Sequence, residues 1–305
     1  MNDHDDEIAR LLAEADALGD LEAAMPLYEQ MLALDPDNPV VHYNLGLVHK
    51  YRGAWAESLH HNRRASDLRA DDEAAHWNMG IAATALRDWP AAREAWRRAG
   101  IEIPDDDGPV EARFGMTPVR LNPDGAAEVV WATRIDPVRA VIDSIPYADS
   151  GFRSGDLVLH DGAPVGQRES NGRTYSVFNV LALFEPSANS TYEVEVCARD
   201  ADDLSALTRA LGDAKIDHEV WTTNVRTLCK QCSEGLPHQH GDDDPEPAWP
   251  DTHLLGISTK SPAAARDVLT RWSARGDGFL SRLARRANAD RLLRFECALA
   301  GSPEH

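Results

Sequence analysis

The densest set of metal-capable side chains in this sequence is Cys229-Lys-Gln-Cys232, followed across Gly235-Leu-Pro237 by His238-Gln-His240. Two thiolates two residues apart can grip one ion from a single turn. A short Gly/Pro loop can then return two imidazoles to it. Four N/S donors are what a tetrahedral structural zinc takes, so one structural Zn2+ on Cys229, Cys232, His238 and His240 is expected, with His253 as the substitute ligand. Such a site has no open position for catalysis, and its role would be to organise the acidic loop 241–246. The alternatives are a reduced pair beside two solvated histidines, or a redox pair. Redox pairs favour a helix N-terminus, and Gly235-Leu-Pro237 opposes a helix directly after Cys232.

No other pattern points to catalysis. The sequence has no Gly-x-Gly-x-x-Gly, no phosphate-binding Gly-x4-Gly-Lys-Ser/Thr, no His-Glu-x-x-His and no Gly-x-Ser-x-Gly. No catalytic residue is assigned. Cys197 and Cys297 read as small core residues, and four cysteines are too few for a disulfide framework in 305 residues. Lys and Arg number 31 against 51 Asp and Glu, a net charge of −20. A body this acidic repels phosphate backbones and anionic lipid, which disfavours nucleic-acid and membrane partners. Arg271, Arg275, Arg282, Arg285, Arg286, Arg291 and Arg294 nevertheless crowd one stretch. They read as a solvated helix face, or else as a docking strip for an acidic partner or RNA. No apolar run approaches the roughly 18 residues of a membrane span. The start, Met1-Asn2-Asp3-His4-Asp5-Asp6, lacks the basic-then-apolar order of a secretory signal, so a cytoplasmic location is expected.

The elements that hold these residues begin with an internal repeat. Three segments align at a spacing of 34 residues. Ala24, Ser58 and Ala92 share the small packing position. Tyr28, Asn62 and Trp96 share a later, larger one. The turns are Gly19-Asp20, Gly53-Ala54 and Arg87-Asp88, and the repeat ends are Pro36, Ala70 and Pro104. The first-helix pair is Leu45-Gly46 in the second unit and Met79-Gly80 in the third; the first unit has Leu11-Leu12 there. One helical hairpin cannot bury its apolar stripe alone, so three in succession stack. His60-His61-Asn62, on the second helix of the middle unit, read as surface.

With this phase, residues 5–104 resemble three tetratricopeptide repeats, 5–38, 39–72 and 73–106. The resemblance implies a curved solenoid with a concave groove that holds a protein or peptide. Carried over by position, the groove residues are Tyr43, Asn44, Leu47, Lys50 and Tyr51, then Trp77, Asn78, Ile81 and Thr84. The first repeat offers Ala9, Arg10, Ala13 and Asp16. Some family members clamp a C-terminal carboxylate with Lys and Arg. Those places hold Ala9, Ala13, Ala74 and Asn78 here, and only Asn44 matches, so no chaperone-tail clamp is carried over. The groove could instead be filled by the protein's own later residues, since Tyr43, Tyr51 and Trp77 suit an internal partner equally well.

Beyond a Pro/Gly/Asp linker at 105–117 the texture changes to strands. Strands are expected over 118–121, 128–135, 139–145 and 156–160, the last running into a turn, making a small antiparallel β module over 118–189. Residues 190–305 carry a β-α-β-β-α-β order. Strands are expected over 191–196, 216–222, 253–258 and 292–299, helices over 202–211 and 263–272, and one more helix within 278–294. That order suggests a ferredoxin-like α+β sandwich with the Cys/His loop 226–246 inserted after its second strand. Trp131 and Trp221 are expected in the sheet cores. The expected protein is therefore multidomain: a helical solenoid, a β-rich module and a ferredoxin-like sandwich with a zinc-binding insertion. Its expected function is that of a non-enzymatic adaptor or regulator. The alternatives are an enzyme or small-ligand sensor in the C-terminal α+β region with the repeats as a targeting arm, and an RNA- or ribosome-associated factor working through the Arg-rich helix.

Overall fold

The structure, a computed structural model, describes residues 3–222, 249, 252–274 and 279–284. By contacts the chain separates into two compact units. One is Met1–Gly115 with Arg134–Arg139 and Leu159–Gly162; the other is Met116–Thr133, Ala140–Val158 and Ala163–His305.

The first unit contains six helices: α1 (Asp3–Leu18), α2 (Leu21–Leu34), α3 (Pro39–Tyr51), α4 (Trp55–Leu68), α5 (Glu73–Ala85) and α6 (Trp89–Arg98). Their ends repeat with the sequence. Asp20, Asn38, Asp72 and Asp88 are N-caps whose side-chain oxygens accept from backbone N–H groups two or three residues on. The turns within hairpins place Gly19, Gly53 and Arg87 at φ 62°, 70° and 59°. Glycine adopts that left-handed conformation freely, whereas Arg87 bears a cost of about 1 kcal/mol.

Within the hairpins the small and large positions meet. A Cβ added at Gly80 would lie 2.4 Å from Cη2 of Trp96, and one at Gly46 would lie 2.4 Å from Nδ2 of Asn62. Ser58 donates to the Gly46 carbonyl at 2.8 Å, and Asn62 donates to the Ser58 carbonyl at 2.8 Å. Asn62 is therefore buried at a helix crossing, not on the surface. Leu11, Ala15, Ala24, Tyr28, Met31, Val41, Leu45 and Val48 form the apolar seam of α1, α2 and α3. After α6, the buried Arg93 donates to the carbonyls of Pro104, Gly108 and Pro109, which ties the segment following the last helix to α6.

Five strands close a barrel in the order β1 (Gly115–Leu121), β2 (Glu128–Arg134), β3 (Arg139–Ile142), β4 (Leu157–Ser170) and β5 (Arg173–Glu185). Closure is made by β1 and β5, which pair in parallel through Val119 with Phe178 and Arg120 with Asn179. The expected module was wholly antiparallel. The turn expected after residue 160 is also displaced: β4 runs on to Ser170, and the reversal is at Asn171-Gly172, both at positive φ. From Gly162 to Ser170 the added half of the strand is exposed or half-buried, so it shows no apolar alternation from which to read a strand. Trp131 alternates away from its buried neighbours Val130 and Ala132 and meets Tyr175 edge-to-face, with ring centroids 5.1 Å apart.

The remaining elements are β6 (Ser190–Cys197), α7 (Ala201–Asp213), β7 (Asp217–Val220), β8 (His253–Thr259), α8 (Pro262–Ser273) and β9 (Phe279–Ala284). The sheet order is β7-β8-β6-β9, and each pair is antiparallel. Leu204, Leu207 and Leu211 of α7 and Val268, Leu269 and Trp272 of α8 pack on Tyr192, Val194, Val196, Leu255 and Ile257. Trp221 is buried as expected, over Gly256, where an added Cβ would come within 2.2 Å of its ring. The extra helix expected within 278–294 is corrected: residues 279–284 are the strand that pairs with β6. A ladder of unpaired backbone groups on β6 outweighs local propensity. The strand expected over 292–299 and Cys297 lie outside the described residues.

Candidate functional site

The expected groove residues come from the first helices of the second and third hairpins, α3 and α5. The structure divides them. Tyr43, Asn44, Leu47 and Trp77 are half-buried, and Tyr51 is exposed. Lys50, Asn78, Ile81 and Thr84 are buried. Lys50 is the informative one, because a lysine is almost never fully buried unless paired. Its ammonium donates to Asp161 Oδ1 at 2.9 Å, to Asp161 Oδ2 at 3.1 Å and to Asn78 Oδ1 at 3.1 Å, which uses all three N–H bonds. Asp161 is equally saturated: the Tyr51 hydroxyl donates to Oδ2 at 3.1 Å and the Gly162 amide to Oδ1 at 2.7 Å. The Lys50 ammonium also sits 4.5 Å from the Tyr51 ring centroid.

Asp161 belongs to Leu159–Gly162, a segment grouped by its contacts with the helices. Trp77 forms the floor for the following residue; a Cβ at Gly162 would lie 2.9 Å from Trp77 Cε3. Trp77 is itself held edge-on to Trp96 at 5.3 Å. This stretch of α3 and α5 thus contacts a later piece of its own chain, Asp161 and Gly162.

Burial governs the electrostatics. It pushes the Lys50 pKa down, and the Asp161 charge pulls the other way. The Tyr51 phenol is pushed up, first by burial and then by the Asp161 carboxylate. Burial also raises Tyr43. Next to the pair, His160 is fully buried, and its Nδ1 lies 2.7 Å from the Asp161 carbonyl, so Nδ1 carries the proton. Burial holds its pKa down to about 4. An ammonium, a phenol and a backbone amide converging on one carboxylate make a carboxylate-holding site. Sequence reasoning placed Lys50, Tyr51, Trp77 and Asn78 correctly on the helices but missed Asp161 and Gly162, which it read as a turn.

The zinc expectation is corrected. Among the described residues no group of three or more His, Cys, Asp and Glu side chains could hold a metal ion. Cys229, Cys232, His238 and His240 lie outside the described residues. His253, the substitute ligand, is fully buried in β8 with its ring 4.6 Å from that of Trp249. The Arg-rich helix is revised as well. Arg282 falls in β9 and Arg271 lies in the last turn of α8 with its Nε donating to the Asp267 carbonyl, whereas Arg275, Arg285, Arg286, Arg291 and Arg294 lie outside the described residues. No helix among the described residues is long and apolar enough to cross a membrane.

No curated protein matches this chain. A crystal structure of a hypothetical protein from Neisseria gonorrhoeae is similar at 14% identity over 60% of this chain and 96% of that one, with a TM-score of 0.26. A likeness at that level carries over neither fold nor function. A family model described as "TPR repeat" matches residues 17–51, and the N-terminal helices are consistent with tetratricopeptide repeats.

Proposed function

We propose that this protein is a non-enzymatic adaptor or regulator whose helical repeats dock a protein or peptide partner. The observation that carries the reading is the repeat itself: six helices in 34-residue phase, with residues 17–51 matching the repeat family. The self-occupied stretch around Lys50 narrows where a partner can sit. Lys50, Asn78, Ile81 and Thr84 are buried and serve the protein's own architecture. Tyr43, Asn44, Leu47 and Tyr51 on α3 remain accessible, and with the exposed Ala9, Arg10, Ala13 and Asp16 of α1 they form the partner-facing strip. The β6–β9 sheet with α7 and α8 is a ferredoxin-like split βαβ module that adds a second surface. The acidic charge fits a cytoplasmic protein that avoids nucleic acid and membrane.

The ligand-sensor alternative gains little. The cleft bordered by Asp143, Ile145, Lys215 and His218 has a volume of about 280 Å³ and is open to solvent. That is just below the range of small-molecule sites. Affinity purification of the full chain beside a Tyr43→Ala/Leu47→Asp variant tests the docking reading. Proteins captured by the parent and lost by the variant support it. Identical capture by both overturns it.

A further inference from the structure

The second hairpin carries a side-chain cluster that the docking strip does not use. His42 and His49 lie two turns apart on α3, and His60 and His61 lie on α4. The His61 ring is the centre of the group: its centroid is 5.2 Å from His42, 5.6 Å from His49 in a stacked arrangement, and 5.1 Å from His60. The hydrogen positions follow from the partners. His42 Nε2 is 2.9 Å from the Pro36 carbonyl, which can only accept, so Nε2 bears hydrogen. A neutral His42 then offers a bare Nδ1. It lies 3.0 Å from His61 Nδ1, so His61 is the donor. One added proton leaves this bond intact with one ring cationic. A second proton sets two N–H groups facing each other with no acceptor between them.

The surroundings oppose even the first charge. His42 is 6% exposed, and the Nδ1 of His49 is buried with no hydrogen-bond partner among the described residues. Glu57, one turn before His61, and Glu29, toward His49, favour protonation, whereas Arg52 opposes it. Arg63 and Arg64 follow His61 on α4, and Arg64 is engaged by Asp37. Burial outweighs the carboxylates. The His61 pKa is pushed down to about 4, by burial first and then by His42, His60 and His49. His49 is lowered for the same leading reason.

We propose that these four histidines form an acid-sensitive catch that holds α3 against α4 near neutral pH and loosens the second hairpin on acidification. An unfolded chain takes up the proton near pH 6.5, whereas the folded His61 stays neutral to about 4. Between those values the unfolded state binds more protons. Stability is therefore full above about pH 6.5 and is lost as the pH falls through that window. The same helix presents Tyr43, Asn44 and Leu47 on another face, so opening would also disturb the docking strip; that consequence rests on the docking reading, while the catch does not.

Urea denaturation of the full chain at pH 7.5 and 4.5, for the parent and for His61→Gln, tests the catch. The parent should lose roughly tenfold more in its folding equilibrium constant across that interval than the variant; this is well below the full linkage value because His61 is only half-buried. The NMR titration of His61 in the intact parent is the second readout and decides alone if the variant fails to fold. A midpoint below about pH 5.5 supports the catch. A midpoint near 6.5, or equal acid sensitivity in parent and variant, overturns it.

Discussion

One helix, α3, buries two titratable centres by opposite means. Toward α5, Lys50 is buried, and each of its N–H bonds meets an oxygen of Asp161 or Asn78. Toward α4, burial holds the pKa of His61 down, and its Nδ1 lies 3.0 Å from that of the buried His42. The contrast follows from what each group can do. A lysine near neutral pH keeps its charge and must find a full set of acceptors. A histidine can discard its charge and sit in an apolar seam, but then its environment depends on pH. The first centre is a fixed fastening, and the second is conditional.

The largest expected effect that would break this contrast is at the fastening. Lys50→Met leaves the Asp161 carboxylate buried with only Tyr51 and the Gly162 amide, and should cost about 3–5 kcal/mol in urea denaturation. Replacing both partners, Lys50→Met with Asp161→Leu, should cost much less than the two single changes added together. A single-variant loss below about 1 kcal/mol would mean the pair is not a buried fastening at all.

Gly162→Ala sharpens the same point by geometry. The new methyl would lie 2.9 Å from Trp77, and overpacking of that kind costs about 1–3 kcal/mol, readable as a lower Tm. Tyr51→Phe removes one bond to Asp161 from a residue that is 55% exposed, so a loss of about 1 kcal/mol is expected near pH 7. Its pH dependence has a definite sign. The phenol is raised above its ordinary value of 10.0 in the folded chain, so its contribution is present below that pH and is lost as the pH rises further. The parent should therefore lose more stability than Tyr51→Phe between about pH 9 and 11. The smallest effect is at the accessible strip. Asn44→Ala should change stability by less than about 0.5 kcal/mol, while reducing partner capture in the affinity purification.

The helical third was legible because its determinants are local. Gly46 and Gly80 announce the close crossings, and their partners Asn62 and Trp96 stand at a constant offset, so phase alone places them. Asn62 shows the limit of reading polarity without phase: its amide is buried at the crossing with Gly46, where its Nδ2 donates to the Ser58 carbonyl. The βαββαβ order was readable for the same reason, except for its last strand, whose placement depends on pairing with β6. Half of the candidate site was hidden. Lys50 and Asp161 are 111 residues apart, and in a chain with 51 acidic residues no local pattern singles out one counterion.

The sequence by itself determined the helical hairpins, their turns and their tight crossings. These depend on contacts within a few turns of chain, which spacing and residue size encode. Only the tertiary structure decided that Asp161 and Gly162 occupy the stretch beside Lys50, that the barrel closes through parallel strands, and that His61 lies among three other imidazoles. Each of those outcomes pairs groups distant in sequence. Their energies come from desolvation and hydrogen-bond completion, which exist only once the partners are brought together.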